Sequence, residues 1–312
     1  MKELNLRTLN ELAGKTLFIR DNLEKVVRLC DILEQLFSSA YQNKLVLKGG
    51  TAINLFYAGL PRLSVDIDLD YIGKTKEETL LDKEAIYAYV SGAFASKGYR
   101  LSSGSKRHYA LDSLVLEYTN LAGNHDNVKI DINYLDRKHI LPLNTMQIDV
   151  FDMQSETPIR VLAKEELYAS KISALISRGK PRDLFDVYFA LKNNVIQNDA
   201  LLRKCVLFYD SIGGDLNAVH AQRFDFESLT WRDCQRMLFP LLQKKSDFHF
   251  ENAIAAVAAF LRELFQFDEN ELKYAECFER KDYRPELLFG PSLEADAVED
   301  HPVALWRMQN EK

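Results

Sequence analysis

Three aspartates alternate with apolar residues in Val65-Asp66-Ile67-Asp68-Leu69-Asp70. In an extended strand that alternation sends the apolar side chains to one face and the carboxylates to the other. Carboxylates one strand repeat apart lie roughly 6–7 Å apart at Cβ and can share a cation. Just upstream, Gly49-Gly50-Thr51 opens a short helical stretch expected over 51–58, which Gly59-Leu60-Pro61 then breaks. Glycines let a backbone approach a ligand closely, and the N–H groups of a helix start face anions. Thr51 either joins that cradle or caps the helix. Arg62 and Ser64, just before the acidic strand, are within reach of a bound phosphate, and Ser64 is also a candidate modification point. Paired carboxylates beside such a turn suit Mg²⁺ and a nucleoside triphosphate.

Nucleotidyl transfer commonly uses two metal ions about 3.5–4 Å apart, held by carboxylates from more than one strand. Asp131 in Val128-Lys-Ile-Asp-Ile-Asn133 is the candidate third acid. Val128, Ile130 and Ile132 form the apolar set there, and Lys129, Asp131 and Asn133 the open set. Glu117 in Leu114-Val-Leu-Glu-Tyr118 competes for the same place. Asp70 reads as a solvated residue. A lone Gly-Gly-Thr is usually only a turn, and a lone Asp-x-Asp often only a solvated face. Their combination with a later apolar strand carrying one acid is what argues for a metal site at Asp66, Asp68 and Asp131.

A second constellation spans 165–191. Lys171 falls in an apolar helical stripe with Leu167, Ala174 and Leu175, and Arg178 continues that face. A lysine there is costly unless paired or working, and it could extend its ammonium to a phosphate. Gly179 ends this helix and Pro181 starts the next. Asp183 and Asp186 fall on one face of the new helix. They either complement its dipole, bridge to Lys171 or Arg178, or act in function. Asp183 is the candidate functional acid, orienting Lys171 or contacting the nucleotide, with Asp186 the other possibility.

The 312 residues carry a net charge of -6, so a global nucleic-acid-binding charge is excluded and local patches would have to serve. Three such patches exist: Lys171 with Arg178, Lys180 and Arg182; Lys97 with Arg100, Lys106 and Arg107; and Arg137-Lys138. Tyr109 and Tyr134 lie near them and could stack bases. With 47% hydrophobic and 28% charged residues the composition is that of a globular protein. No apolar run approaches the roughly 20 residues of a membrane span. The opening residues lack a signal-peptide pattern. The four cysteines form no C-x-x-C pair and the six histidines no metal-binding spacing. A cytoplasmic protein with no membrane partner is expected.

Helical periodicity covers 7–39 and 76–97. Strand patterns cover 44–48, 65–70, 107–118 and 127–134, with less regular extended segments at 140–152 and 157–162. From Lys164 onward the chain reads as almost wholly helical, with an irregular tail after Phe289. The expected fold is α+β: a small mixed sheet with N-terminal helices (1–160), followed by a large helical half (161–312).

These segments resemble the AbiEii/AbiGii toxin family, a branch of the DNA-polymerase-β-like nucleotidyltransferase superfamily. The Gly49-Gly-Thr-Ala52 turn with Arg62-Leu-Ser-Val-Asp-Ile-Asp-Leu69 is similar to the family's first motif, and Val128-Lys-Ile-Asp131 to its second. Lys171 and the run Arg178, Arg182-Asp183-Leu-Phe-Asp186 are similar to its third and fourth. Arg284-Pro-Glu-Leu-Leu-Phe289 and His301-Pro-Val-Ala-Leu-Trp306 extend the likeness toward the end. The resemblance implies a toxin of a toxin–antitoxin or phage-defence system with a cognate antitoxin encoded nearby. It also implies Mg²⁺-dependent transfer of NMP from an NTP to the tRNA 3′ acceptor end, which halts translation. A protein or small-molecule hydroxyl as acceptor, and a catalytically silent binding protein, are the alternatives.

On that reading Gly49, Gly50, Thr51, Arg62 and Ser64 surround the triphosphate, while Asp66, Asp68 and Asp131 hold two metal ions. Lys171, oriented by Asp183, neutralises the departing pyrophosphate, so that the helical half completes the active site.

Overall fold

The computed structural model describes residues 4–214, 216–220, 224, 226, 228–290 and 298–309. Its chain divides into two compact units. One comprises Met1–Arg137, Leu143–Val161 and Leu241–Lys245; the other comprises Lys138–Pro142, Leu162–Pro240 and Ser246–Lys312.

The first unit starts with α1 (Leu6–Thr16) and α2 (Arg20–Phe37). Strand β1 (Leu45–Lys48) runs directly into the short helix α3 (Gly49–Ala52), which continues as a π-helical turn over Ile53–Tyr57. The helical start therefore lies two residues earlier than the pattern suggested, at the first glycine. Then come β2 (Asp66–Tyr71), α4 (Lys76–Ala93), β3 (Arg100–Leu101), β4 (Lys106–Arg107), β5 (Leu111–Thr119) and β6 (His125–Asn133). β7 (Asn144–Met146), a ribbon of β8 (Asp149–Val150) with β9 (Met153–Gln154), and β10 (Ile159–Val161) complete the unit. Thr75 caps α4 by accepting from the Glu78 N–H, with Glu77 and Glu78 in the first turn to complement the helix dipole.

The strand order is β3-β5-β6-β2-β1-β10-β7, with β4 on the β5 edge. β2 pairs parallel to β6 and β1 parallel to β10, while the remaining pairs are antiparallel. The fold is the mixed-sheet α+β class expected from the sequence. One sheet face is apolar: Leu45, Leu47, Ile67, Leu69, Ile130, Ile132 and Leu114 are all fully buried. Helices α2 and α4 lie on it. Gln35 of α2 donates to the Ala93 carbonyl, and Tyr71 on the sheet donates to Asp82 of α4. The Leu241–Lys245 segment returns to this unit through Leu63 N–H to Leu241 C=O (2.8 Å) and Lys244 N–H to Leu17 C=O (3.0 Å).

The second unit contains α5 (Lys164–Arg178), α6 (Pro181–Lys192), α7 (Ala200–Gly213), α8 (Asn217–His220), α9 (Trp231–Met237), α10 (Phe250–Leu264), α11 (Glu269–Glu279) and α12 (Glu286–Phe289). A further helix, α13 (Pro302–Gln309), occupies a tail expected to be irregular. Residues 291–297 of that tail lie outside the described residues. α13 forms where His301 is fully buried, its ring edge-on to Phe208 at 5.0 Å and its Nε2 3.1 Å from the Lys138 carbonyl. Gly179 closes α5 in the left-handed region (φ 54°) and Pro181 opens α6.

Glu166 anchors the Lys138–Pro142 segment of this unit. It is fully buried and accepts the N–H groups of Ile140 (3.0 Å) and Leu141 (3.1 Å) and the Tyr209 hydroxyl, with His139 Nδ1 at 3.4 Å. Burial alone would raise its pKa. The hydrogen bonds and charge from His139, with Tyr209 and Ile140, outweigh that and hold it below the ordinary 4.5. Glu166→Ala leaves those donors unsatisfied and should cost about 3–5 kcal/mol in urea denaturation. Because the native value is depressed, Glu166's contribution is complete above the unfolded value. It is lost as pH falls through that lower native value, so the stability gap between wild type and Glu166→Ala should narrow as pH is lowered from 4.5.

Candidate active site

Pairing of β2 with β6 builds the site. The parallel register places Asp66 opposite Lys129, Asp68 opposite Asp131 and Asp70 opposite Asn133. β5 adds Ser113 beside Asp131, and β1 adds Lys48 beside Asp68 on the other side. Along the central row the open face therefore reads Lys48, Asp68, Asp131, Ser113. Two carboxylates on neighbouring strands, with backbones about 4.8 Å apart, repel each other unless a cation intervenes.

The glycine elbow is built against this row. Gly49 has φ +70°, and a Cβ there would lie 2.2 Å from Asp68 Oδ2. Only glycine lets the backbone turn this tightly onto the carboxylate. A Cβ on Gly50 would meet Arg62 Nη2 at 2.8 Å and Ser64 Oγ at 3.0 Å, so both side chains approach Gly50 closely. Arg62 is 1% exposed and its Nη1 donates to the Leu63 carbonyl at 2.9 Å. Thr51 neither caps α3 nor faces outward: its buried hydroxyl donates to the Asp66 carbonyl at 2.5 Å, tying the elbow to the acidic strand.

Two ammonium groups neutralise the acids. Lys129 Nζ lies 2.6 Å from Asp131 Oδ2, while Ser113 Oγ donates to Asp131 Oδ1 at 2.6 Å. Partial burial lowers the Lys129 pKa, but its hydrogen bond to Asp131 and the charges of Asp131, Asp66 and Asp68 raise it further, for a net upward shift. Lys48 is shifted up likewise: burial opposes charge, and Asp70, Asp136 and Asp68 prevail. Sequence reasoning passed over both lysines, although each sits at an alternating position beside a proposed acid.

Among the described residues, no three His, Cys, Asp or Glu side chains stand as a ready-made metal-holding group. Both Asp131 oxygens are engaged by Ser113 and Lys129. The donor set nevertheless fits a hard divalent cation: it consists of carboxylate oxygens, and the Lys129 ammonium already stands among them as a cation.

Several sequence expectations change. Asp70 is not solvated. It is 1% exposed, with Lys48 Nζ at 2.5 Å and Asn133 Nδ2 at 3.0 Å. Glu117 does not compete with Asp131; it stands opposite Asn127, four positions along β5 from Ser113, and binds Arg100. Tyr134 is 3% exposed and cannot stack a base, whereas Tyr109 is 64% exposed. The basic patch around Arg107 is largely neutralised, since Arg107 pairs with Glu84 and Asp112.

Lys171 and Asp183 lie in the helical unit. Lys171 Nζ is 2.8 Å from Asp183 Oδ1 and 3.3 Å from Asp186 Oδ2, all three side chains being buried. Arg178 Nε adds a contact to Asp183 at 3.1 Å. Burial would raise the Asp183 pKa, and the charges of Lys171 and Arg178 lower it further, for a net depression. The cluster joins α5 to α6, so the bridging role is present whatever else these residues do.

The model of the AbiEii nucleotidyl transferase toxin family, of type IV toxin–antitoxin systems, matches residues 31–271. The chain belongs to this family. AbiEii membership makes it a nucleotidyltransferase of a toxin family that implies a cognate antitoxin. MenT4, a nucleotidyltransferase toxin from Mycobacterium tuberculosis H37Rv, shares the fold: TM-score 0.67 at 19% identity, over 91% of this chain and 97% of that one. A candidate nucleotidyltransferase from H. pylori aligns with TM-score 0.48 at 20% identity, over 80% of this chain and 96% of that one. No curated protein matches the chain in sequence. No helix among the described residues is long and apolar enough to cross a membrane.

Two substitutions, with Gly98→Ala as the reference for the first, probe this AbiEii arrangement. Gly98 also has positive φ (+81°) but open space where a Cβ would go, so Gly98→Ala carries only the backbone cost of about 1–2 kcal/mol. Gly49→Ala adds the collision with Asp68, and its thermal midpoint should fall clearly below that of Gly98→Ala. Lys171→Met removes the cation shared by two buried carboxylates and should cost about 3–5 kcal/mol by chemical denaturation.

Proposed function

We propose that the chain transfers a nucleoside monophosphate from a nucleoside triphosphate to the tRNA 3′ acceptor end in a Mg²⁺-dependent reaction, and blocks translation by doing so. The observation that carries this reading is the parallel register of Asp68 against Asp131, with Gly49 packed on the Asp68 carboxylate.

Asp66 and Asp68 would hold both divalent ions, and Asp131 the one at the acceptor hydroxyl. Bound there, the ions supply Lewis-acid charge neutralisation and make the acceptor hydroxyl more acidic. Asp131 would release Lys129 to take this role and would accept the proton that the hydroxyl loses. The acceptor oxygen forms its bond to the α-phosphorus as the bond to the β-phosphate breaks, and pyrophosphate leaves. The elbow binds the triphosphate through backbone N–H groups of Gly49, Gly50 and Thr51, the Thr51 hydroxyl being committed to Asp66. Arg62 and Ser64, which approach Gly50 closely, are the further proposed triphosphate-binding residues. Lys171, oriented by Asp183, offsets charge on the departing pyrophosphate. Catalysis then rests on positioning and charge neutralisation. A cognate antitoxin encoded nearby, a role in phage defence and action in the cytoplasm complete the proposal.

Incubating the purified chain with total tRNA, Mg²⁺ and each labelled NTP in turn should place label at the RNA 3′ end. Asp66→Ala, Asp68→Ala and Asp131→Ala should each lower incorporation by about 100-fold or more. Label on protein instead of RNA would move the acceptor to a protein hydroxyl. Absence of label with every NTP, together with unchanged growth inhibition by Asp66→Ala, would leave a silent binding protein.

A further inference from the structure

Next to the Asp68–Asp131 row lies a closed ring of four polar side chains. Lys48 Nζ is 2.5 Å from Asp70 Oδ1 and 3.5 Å from Asp136 Oδ2. Asn133 Nδ2 approaches the same two oxygens, at 3.0 and 2.6 Å. Three members are each next to a site residue in the chain: Lys48 precedes Gly49, Asp70 follows Asp68 by two, and Asn133 follows Asp131 by two. The ring thus ties β1, β2 and β6 together just beyond the proposed metal ligands.

Lys48 stands directly opposite Asp68 in the antiparallel register of β1 and β2, on the same face. Its ammonium can therefore turn to either of two carboxylates, Asp68 or Asp70. Lys129 has only candidate ligands for neighbours: it stands opposite Asp66 and bonds to Asp131 itself. Asp70 is 1% exposed, and a buried carboxylate is costly unless paired. Here its partners are Lys48 and Asn133.

We infer that Asp70 and Asp136 are positioning residues that hold the Lys48 ammonium off Asp68, so that it does not compete with a divalent cation for that carboxylate. The inference rests on the metal-dependent reading above. It assigns no metal contact to Lys48, Asp70 or Asp136. Its distinctive consequence is that removing Asp70 alone harms metal binding, while removing Lys48 together with Asp70 does not.

The test is Mn²⁺ binding to the full chain, followed by the electron paramagnetic resonance signal of free Mn²⁺, with folding checked by circular dichroism. Asp70→Asn should weaken binding by about 10- to 100-fold, and the double variant Lys48→Met/Asp70→Asn should return to within about threefold of wild type. A purely structural ring predicts the reverse order, with the double variant at least as impaired as the single one, and that result would overturn the inference. So would an Asp70→Asn variant that binds Mn²⁺ like wild type. If Asp70→Asn does not fold, the double variant decides alone, and loss of Mn²⁺ binding by the folded double variant refutes the assignment. A wild-type chain that binds no Mn²⁺ would instead overturn the metal reading itself, and this inference with it.

Discussion

Repulsion between Asp68 and Asp131 is the constraint around which the first unit is organised. Parallel pairing of β2 with β6 sets these two acids side by side, and like charges in that position destabilise a sheet. The surroundings compensate from every side. Lys129 and Ser113 occupy the Asp131 oxygens, Lys48 stands across from Asp68, and Gly49 closes over the Asp68 carboxylate. A sheet shaped only for stability would not concentrate acids this way and then surround them with lysines. The arrangement is intelligible as a site that attracts cations and stays folded without them.

The apolar face supplies the rigidity that this requires. Ile67, Leu69, Ile130 and Ile132 are fully buried between the same strands that carry the acids. A one-residue slip of β2 would send Asp66, Asp68 and Asp70 into that core, so burial fixes the register. Thr51 adds a second fix by joining the elbow to the Asp66 backbone. Position of the acids is thus enforced by apolar packing on the opposite side of the sheet.

How much of this could be read beforehand depends on which physical rule governs each residue. The period of two in 65–70 and 128–133 assigned faces to Asp66, Asp68 and Asp131, because alternation is a property of one strand alone. Which strands pair is set by tertiary packing, so the direct opposition of Asp68 and Asp131 across about sixty residues of sequence had to come from the structure. Asp70 shows the limit most clearly. Its face followed from alternation, but its burial depends on Lys48 and Asn133, which reach it from two other strands. The capping alternative for Thr51 fails for a related reason: a hydroxyl at a helix start caps by habit, yet here a nearby strand carbonyl takes its hydrogen bond. Lys171 was legible as a costly cation because its apolar neighbours are local in sequence. The short range of its bonds to both Asp183 and Asp186 was not.

The two lysines of the acidic face illustrate how equal charges acquire different roles from geometry. Both are raised in pKa by neighbouring aspartates, Asp68 being common to the two, so ordinary changes of pH leave both protonated. Lys129 is partly exposed and bound to one acid, with a 42% accessible side chain, so it can swing into solvent at little cost when another cation arrives. Lys48 is hemmed in by two acids and an amide-bridged ring, and moving it would strand the buried Asp70. An exposed lysine is therefore suited to be displaced, and an enclosed one to remain. A site that exchanges a resident cation for a catalytic one needs the first kind beside its ligands and must restrain the second, which is the division of labour proposed for Lys129 on β6 and Lys48 on β1.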